Sequence, residues 1–329
     1  MHEARYLEAE RRLWASTGVS PHQRRVRLER LGVTVRVQEV GEGHPVVFVH
    51  GGSNAGSSWA RLAARLSARL PGFRCLLLDR PGCGLSEPLT GRLDAEGQWE
   101  VARTQIVDLL DALELPSADV VATSYGGLSA LLTAAAHPER IGGIVELGWP
   151  VGAPIAHVPM VMRISAIRPL GHLMAAIPPT ERSVRSMLRQ VGLRRAIDTG
   201  RFSPEELAWF RALLRDTDTM GNELRSNRYL SLRHGLFGGL TIPDELLSSI
   251  RNPLLFLWGE DDPFGGAPIA RQLVARIPGS QLEMVADAGH AVWVDELDHT
   301  AAAIARFLGT VEAGEPSAHQ PRDDAAATG

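Results

Sequence analysis

Six short, mostly apolar runs separated by helix-like stretches constrain this chain more than any other feature. They are Val46-Val47-Phe48-Val49, Cys75-Leu76-Leu77-Leu78, Asp119-Val120-Val121, Ile144-Val145 and the runs 254–258 and 282–285. A strand without polar alternation must be covered on both faces, which is the situation of strands in a parallel sheet. Helical patterns over 59–70, 101–113, 128–136, 268–276 and 297–308 supply the cover. The expected fold is therefore α/β, a mostly parallel doubly wound sheet. Residues 26–40 alternate apolar and polar positions across Leu31-Gly32, as a hairpin does. Residues 1–20 form a charged amphipathic pattern with Leu7, Leu13 and Trp14 on its apolar side. The β/α alternation stops at Trp149-Pro150 and resumes near residue 254, with several helices and no clear strand between. The expected plan is a helical extension over 1–24, a core of 25–149 and 241–310, a helical cap inserted at 150–240, and a disordered tail at 311–329.

Composition removes several classes of function. All 34 residues counted as Lys+Arg are arginine. With no lysine there is no lysine Schiff base, no phosphate-loop lysine and no kinase lysine. A net charge of −4 argues against general nucleic-acid binding. No apolar run is long enough for a membrane span, and the charged first 20 residues are unlike a signal peptide. Two cysteines make neither a disulfide framework nor a zinc site. A cytoplasmic protein is the expectation. His157, His172 and His234 are too scattered for a metal site, and Gly41-Glu42-Gly43 precedes a strand rather than following one. No cofactor and no metal are expected; the partner is a small-molecule substrate, and the oligomeric state is open.

The chemistry begins at Ala122-Thr123-Ser124-Tyr125-Gly126-Gly127, between a strand and a helix rich in Leu and Ala. A serine at such a corner is pushed out of the backbone, and the amides that open the helix point to the same spot. Parallel strands end on one edge, so the loops that follow them converge. Asp262 lies in the loop Gly259-Glu260-Asp261-Asp262 after one strand, and His290 follows Ala288-Gly289 after another. His50-Gly51-Gly52 ends a third. Asp261 and Glu146 are rivals to Asp262 as the acid. His50 is expected to brace its loop, and Cys83 to be an inert small residue.

These stretches, with Asp79-Arg80-Pro81-Gly82-Cys83-Gly84-Leu85-Ser86, resemble the α/β-hydrolase superfamily in its lidded, serine-nucleophile branch, over about residues 25–310. The resemblance implies a Ser124–His290–Asp262 triad with the amides of Gly52 and Tyr125 as oxyanion hole. One position departs from the family elbow: Ala122 stands where glycine is usual, and its single methyl is expected to be tolerated.

The first-ranked function is hydrolysis of a carboxylic ester, lactone or thioester of a small to medium, largely apolar substrate, through an acyl-enzyme on Ser124. One alternative is carbon–carbon hydrolysis of a diketone-type metabolite. Another, from a different class, is a non-hydrolytic ligand-binding or biosynthetic protein of this fold. Ser53, Trp149 and Trp293 are candidates to line the pocket, Trp293 otherwise serving the core. The stretch 150–240 has 13 Arg against 7 Asp and Glu, or +6. Either this basic cap docks on an acidic core, or one or two of its arginines bind a substrate carboxylate. Met160, Met162, Met174, Met187 and Met220 suit an adaptable apolar pocket or an ordinary core.

Overall fold

The computed structural model describes residues 2–90, 94–226 and 238–312. His234 and the tail from 313 onward lie outside the described residues.

The hairpin forms as expected, β1 (His22–Leu28) running antiparallel to β2 (Val33–Val40) with Val26 opposite Val35. The alternating units follow: β3 (His44–Val49), α2 (Ala60–Arg69), β4 (Phe73–Leu78), α3 (Ala95–Ala112), β5 (Ala118–Ser124), α4 (Tyr125–Ala136) and β6 (Ile141–Pro150). They are preceded by α1 (Glu3–Thr17). Six helices make the described insertion: α5 (Met160–Ser165), α6 (Arg168–Ala176), α7 (Glu181–Leu188), α8 (Arg194–Asp198), α9 (Pro204–Asp216) and α10 (Thr219–Ser226). The core closes with α11 (Asp244–Ser249), β7 (Leu254–Gly259), α12 (Ala267–Val274), β8 (Gln281–Val285), α13 (Val292–Asp295) and α14 (Leu297–Glu312).

The strands form one eight-stranded sheet in the order β1-β2-β4-β3-β5-β6-β7-β8. From β4 to β8 every pairing is parallel, and β2 alone runs the other way, antiparallel to both β1 and β4. Successive strand residues enter opposite cores. Phe48, Leu77, Val121 and Leu257 pack in one cluster, and Val49, Leu78, Val120 and Phe256 in the other. This two-sided burial is what the unbroken apolar runs required.

Several boundaries differ from the expectation. Helix α3 starts six residues before Val101 because Asp94 accepts a hydrogen bond from the Gly97 amide at 3.0 Å and caps it. Strand β6 continues to Pro150 rather than stopping at Val145, and α14 runs to Glu312. The short helices α11 and α13 carried no recognisable period.

Helix α1 is also more than an appendage. Its Tyr6 hydroxyl accepts a hydrogen bond from Trp209 Nε1 on α9 at 3.3 Å. Its Glu10 is 2% exposed and pairs with Arg36 on β2, also 2% exposed. Arg36 Nε lies 2.9 Å from Asp79 Oδ2, whose own Oδ1 accepts the Gly56 amide at 2.7 Å. Two buried carboxylates thus share one guanidinium, and the N-terminal helix is tied to the loops after β3 and β4. Removing the cation leaves both acids uncompensated. Arg36→Met is expected to lower the unfolding free energy by about 3–5 kcal/mol, read as a lower urea midpoint; a midpoint equal to wild type would contradict it.

Candidate active site

The close approach of α4 to the sheet sets the geometry of the elbow. Ser124 ends β5 with φ 55° and ψ −116°, a backbone conformation that L-residues rarely adopt. The helix that follows lies so near the strands that a side chain at Gly126 would begin 2.0 Å from the Val49 carbonyl oxygen. One at Gly127 would begin 2.2 Å from Glu146 Oε1. The two glycines let the helix sit there, and the strained serine joins it to β5. Ala122 beneath the turn is fully buried between Val49 and Glu146 of the neighbouring strands, so its methyl is accommodated.

The end of β6 links this corner to the other two loops. The Val151 amide donates to the Ser124 carbonyl at 2.9 Å, and the Trp149 amide donates to Asp262 Oδ2 at 3.0 Å. The same Oδ2 stands 2.8 Å from His290 Nδ1, and Oδ1 accepts the Phe264 amide at 3.0 Å. The Asp262 side chain is shielded from solvent, which favours the Nδ1–H tautomer of His290 and leaves Nε2 as the basic nitrogen. The Phe264 ring meets the His290 ring edge-on at 4.7 Å and limits its rotation. Of the rivals, Asp261 is exposed, and Glu146 faces Gly127 across the sheet rather than the histidine.

The third loop flanks Ser124 on its other side. A side chain at Gly51 would begin 2.9 Å from Ser124 Cβ, while Gly52 is exposed. His50 is buried; its Nδ1–H donates to the Gly51 carbonyl at 2.7 Å and its Nε2 accepts the Arg80 amide at 3.1 Å. Burial, reinforced by the Arg80 charge, holds its pKa well below the usual histidine value, so it is neutral and acts as a brace. Arg80 donates to the Gly51 carbonyl at 2.9 Å and to Glu223 Oε1 on α10 at 3.0 Å. Its guanidinium carbon lies 4.4 Å from the centre of the Tyr125 ring. One cation therefore touches both loops that carry the Gly52 and Tyr125 amides. Burial pushes the Cys83 thiol well above its usual pKa, so it makes no second nucleophile.

The pocket candidates fare unequally. Ser53, at φ 49°, sits beside Gly52 with its hydroxyl 4.0 Å from Met220 Sδ. Trp149 is 1% exposed and stacked on Phe264 at 5.1 Å; it reaches the site through its backbone amide, not its ring. Trp293 is 6% exposed and packs against Trp59 at 4.4 Å, so it belongs to the core. Met160 and Met174 are exposed, Met162 and Met187 pack against the two cores, and the Met220 sulfur stands by the Ser53 hydroxyl.

Two contributors escaped the sequence reading. Glu223 of α10 brings an acid within 3.5 Å of where a Gly52 side chain would begin. Gly192, in the π turn between α7 and α8, accepts the His290 amide at 3.2 Å through its carbonyl. Its signal was a glycine inside a helical pattern. At φ 96°, a side chain there would begin 2.5 Å from His290 Cβ. Several arginines of the insertion meet acids: Arg195 pairs with Asp287 at 2.7 Å, Arg201 with Glu296, Arg189 with Asp198 and Arg185 with Glu181. Two of those pairs cross to the core, as docking of a basic insertion on an acidic core requires.

Comparison with known proteins places this arrangement. Residues 46–307 match the model of the alpha/beta hydrolase family, and the chain belongs to that family. Over 274 residues it is 30% identical to a 2-hydroxy-6-oxononadienedioate/2-hydroxy-6-oxononatrienedioate hydrolase of Pseudomonas putida, covering 82% of this chain and 90% of that one. A 2-hydroxy-6-oxo-6-phenylhexa-2,4-dienoate hydrolase of Comamonas testosteroni is 27% identical, covering 81% and 89%. Among solved structures, carboxylesterase CesB of Bacillus subtilis aligns with TM-score 0.70 at 20% identity, covering 93% of this chain and 98% of that one. The two curated relatives are enzymes named for hydrolysis of oxo-dienoates, not for esters. No described helix is long and apolar enough to cross a membrane.

The Gly192 contact yields a test. Gly192→Ala is expected to displace the His290 loop and slow Ser124-dependent turnover on the order of 10²-fold, the usual penalty for a misplacement of about 1 Å. A full steady-state rate in the folded variant would show that the contact carries no positional role.

Proposed function

We propose that this protein is a serine hydrolase that cleaves a carbon–carbon bond beside a ketone, in a substrate of the 2-hydroxy-6-oxo-dienoate kind. Ser124 is the nucleophile, His290 the base and Asp262 the group that orients and stabilises the imidazole. The Gly52 and Tyr125 amides bind the oxyanion that develops on the attacked ketone oxygen. The observation that carries the bond type is the similarity to hydrolases of that name over four-fifths of the chain. It favours the diketone-type reading over the ester first expected.

The chemistry balances without a cofactor. Ser124 Oγ adds to the ketone carbon as its proton passes to His290. The carbon–carbon bond then breaks, and its electron pair leaves on carbon, where His290 returns the proton. Water, deprotonated by the same nitrogen, releases the acyl group as a carboxylic acid. The sum is R–CO–CH2–R′ plus water giving R–COOH and CH3–R′. The leaving carbanion is tolerable only if it is conjugated, which a dienoate keto tautomer provides. A helical cap formed by the insertion would keep bulk water from protonating it prematurely.

Ester hydrolysis remains as a second reading, because its tetrahedral intermediate needs the same five groups and a structural neighbour is a carboxylesterase. Turnover of a 2-hydroxy-6-oxo-dienoate, followed by loss of its dienol absorbance, separates them. Its kcat/KM is expected to exceed that of a neutral nitrophenyl ester of similar size by about tenfold or more, and Ser124→Ala is expected to lose at least about 10³-fold. The reverse substrate ranking moves the assignment to an esterase. A folded wild type that turns over neither and takes no fluorophosphonate label excludes the serine hydrolase altogether.

A further inference from the structure

Glu146 is the one residue of β6 with a charged side chain, and it lies directly under the elbow. It is 0% exposed. Neither carboxyl oxygen has a hydrogen bond of normal geometry among the described residues, and the donor that acts on the group is the Ser124 backbone N–H, at poorer geometry. Yet the group stands against the first turn of α4, with Oε1, Cδ and Oε2 at 2.2, 2.4 and 2.5 Å from where a Gly127 side chain would begin. Its strand neighbour is Ala122, two residues before Ser124. Nature does not leave a carboxyl in such a place without compensation, since an apolar side chain would fill the space at lower cost.

We propose that Glu146 is a positioning residue for the nucleophile elbow, its carboxyl group filling the space beneath the first turn of α4 and fixing the Ser124 and Tyr125 amides from below. The proposal rests on the serine-nucleophile reading above and adds to it a group that never touches substrate.

The surroundings decide which form of the group can do this. No charged residue occurs in α4 or β7. On β5 the only one is Asp119, which is held at the far end by His44 at 3.0 Å and the Gly143 amide at 2.6 Å. Helix α11, packed on α4, carries Asp244 and Glu245, both exposed. Asp262 beyond β7 is engaged by His290. Of the other elements against β6, α13 carries Asp295, which accepts the Gly289 amide, while Arg306 and His299 of α14 meet Glu283 and Arg140 of the turn 138–140 pairs with Asp111. No cation therefore offsets an ionised Glu146. Burial pushes its pKa well above the usual carboxylate range, and the Ser124 backbone N–H opposes that only in part. The neutral acid supports the turn. Once ionised, it places a negative charge under the amides that must receive the oxyanion, and opposes catalysis. Of the other groups at the elbow, burial raises both the Tyr125 hydroxyl and the Cys83 thiol above their usual ranges.

The test measures the second-order rate of fluorophosphonate labelling of Ser124 against pH, with urea stability in parallel, in wild type, Glu146→Gln and Glu146→Met. Wild type is expected to lose about tenfold in rate on the alkaline side. Both variants, lacking the charge, are expected to hold their rate there. At neutral pH Glu146→Gln is expected within about threefold of wild type, and Glu146→Met, which cannot accept the Ser124 amide, about tenfold slower. Because the folded pKa is raised above the unfolded one, wild-type stability should fall as pH rises above the ordinary glutamate range, and both variants should lack that slope. Variants that keep the wild-type alkaline fall, or a Glu146→Met that matches Glu146→Gln at every pH, would overturn the proposal. Should Glu146→Gln fail to fold, the alkaline limb of Glu146→Met decides it alone. A folded wild type that takes no label refutes instead the serine-nucleophile reading on which the proposal rests, and takes the proposal down with it.

Discussion

The near-contact between the first turn of α4 and the carbonyl edge of β3 is the constraint on which the rest of the site depends. At Gly126 and Gly127 there is no room for even one carbon beyond Cα. That proximity forces the chain to turn within a single residue, and Ser124 accepts the left-handed backbone that results. The strain is held by hydrophobic burial on both faces of β5, where Val120, Val121 and Ala122 are all fully buried. Packing energy spread over the sheet is thereby focused on one torsion angle, and the side chain at that angle is the half-buried Ser124 hydroxyl.

The insertion contributes to the position of the loops around Ser124. Gly192 leans on the His290 backbone, and Glu223 reaches Arg80, which holds the Gly51 carbonyl and stacks on Tyr125. Both loops flanking Ser124 and the histidine loop are thus tied to helices that are themselves outside the sheet. Helix α9 is anchored in turn to α1 through Tyr6 and to α2 through the Arg61–Glu206 pair at 3.0 Å. Movement of these helices would therefore be felt as a change in catalytic geometry and not merely in access.

Much of this was legible from the residues because it is local. Apolar runs reveal two-sided burial, a serine between strand and helix reveals the corner, and loop order along parallel strands brings Asp262 and His290 to one edge. What escaped is what depends on distant chain meeting distant chain. Trp149 reads as a pocket candidate and Trp293 as a core aromatic that could also line the pocket; whether each ring faces a cavity or a core depends on Phe264 and Trp59, far away in sequence. Glu10 reads as a solvated charge on an amphipathic helix until Arg36 and Asp79 are seen beside it. Gly192 and Glu223 have no period or motif of their own; their roles arise only from what they touch.

The charges around Gly52 bear on which bond is cut. Glu223 brings a carboxylate to that loop, and Arg80 pairs with it at 3.0 Å instead of presenting its charge to a ligand alone. An ion pair at that spot is close to neutral overall, which suits a ketone or ester carbonyl and disfavours a carboxylate approaching the same amides. On the carbon–carbon reading, the dienoate carboxylate has to lie at the other end of the substrate, away from Glu223, with the 6-oxo group over Gly52 and Tyr125.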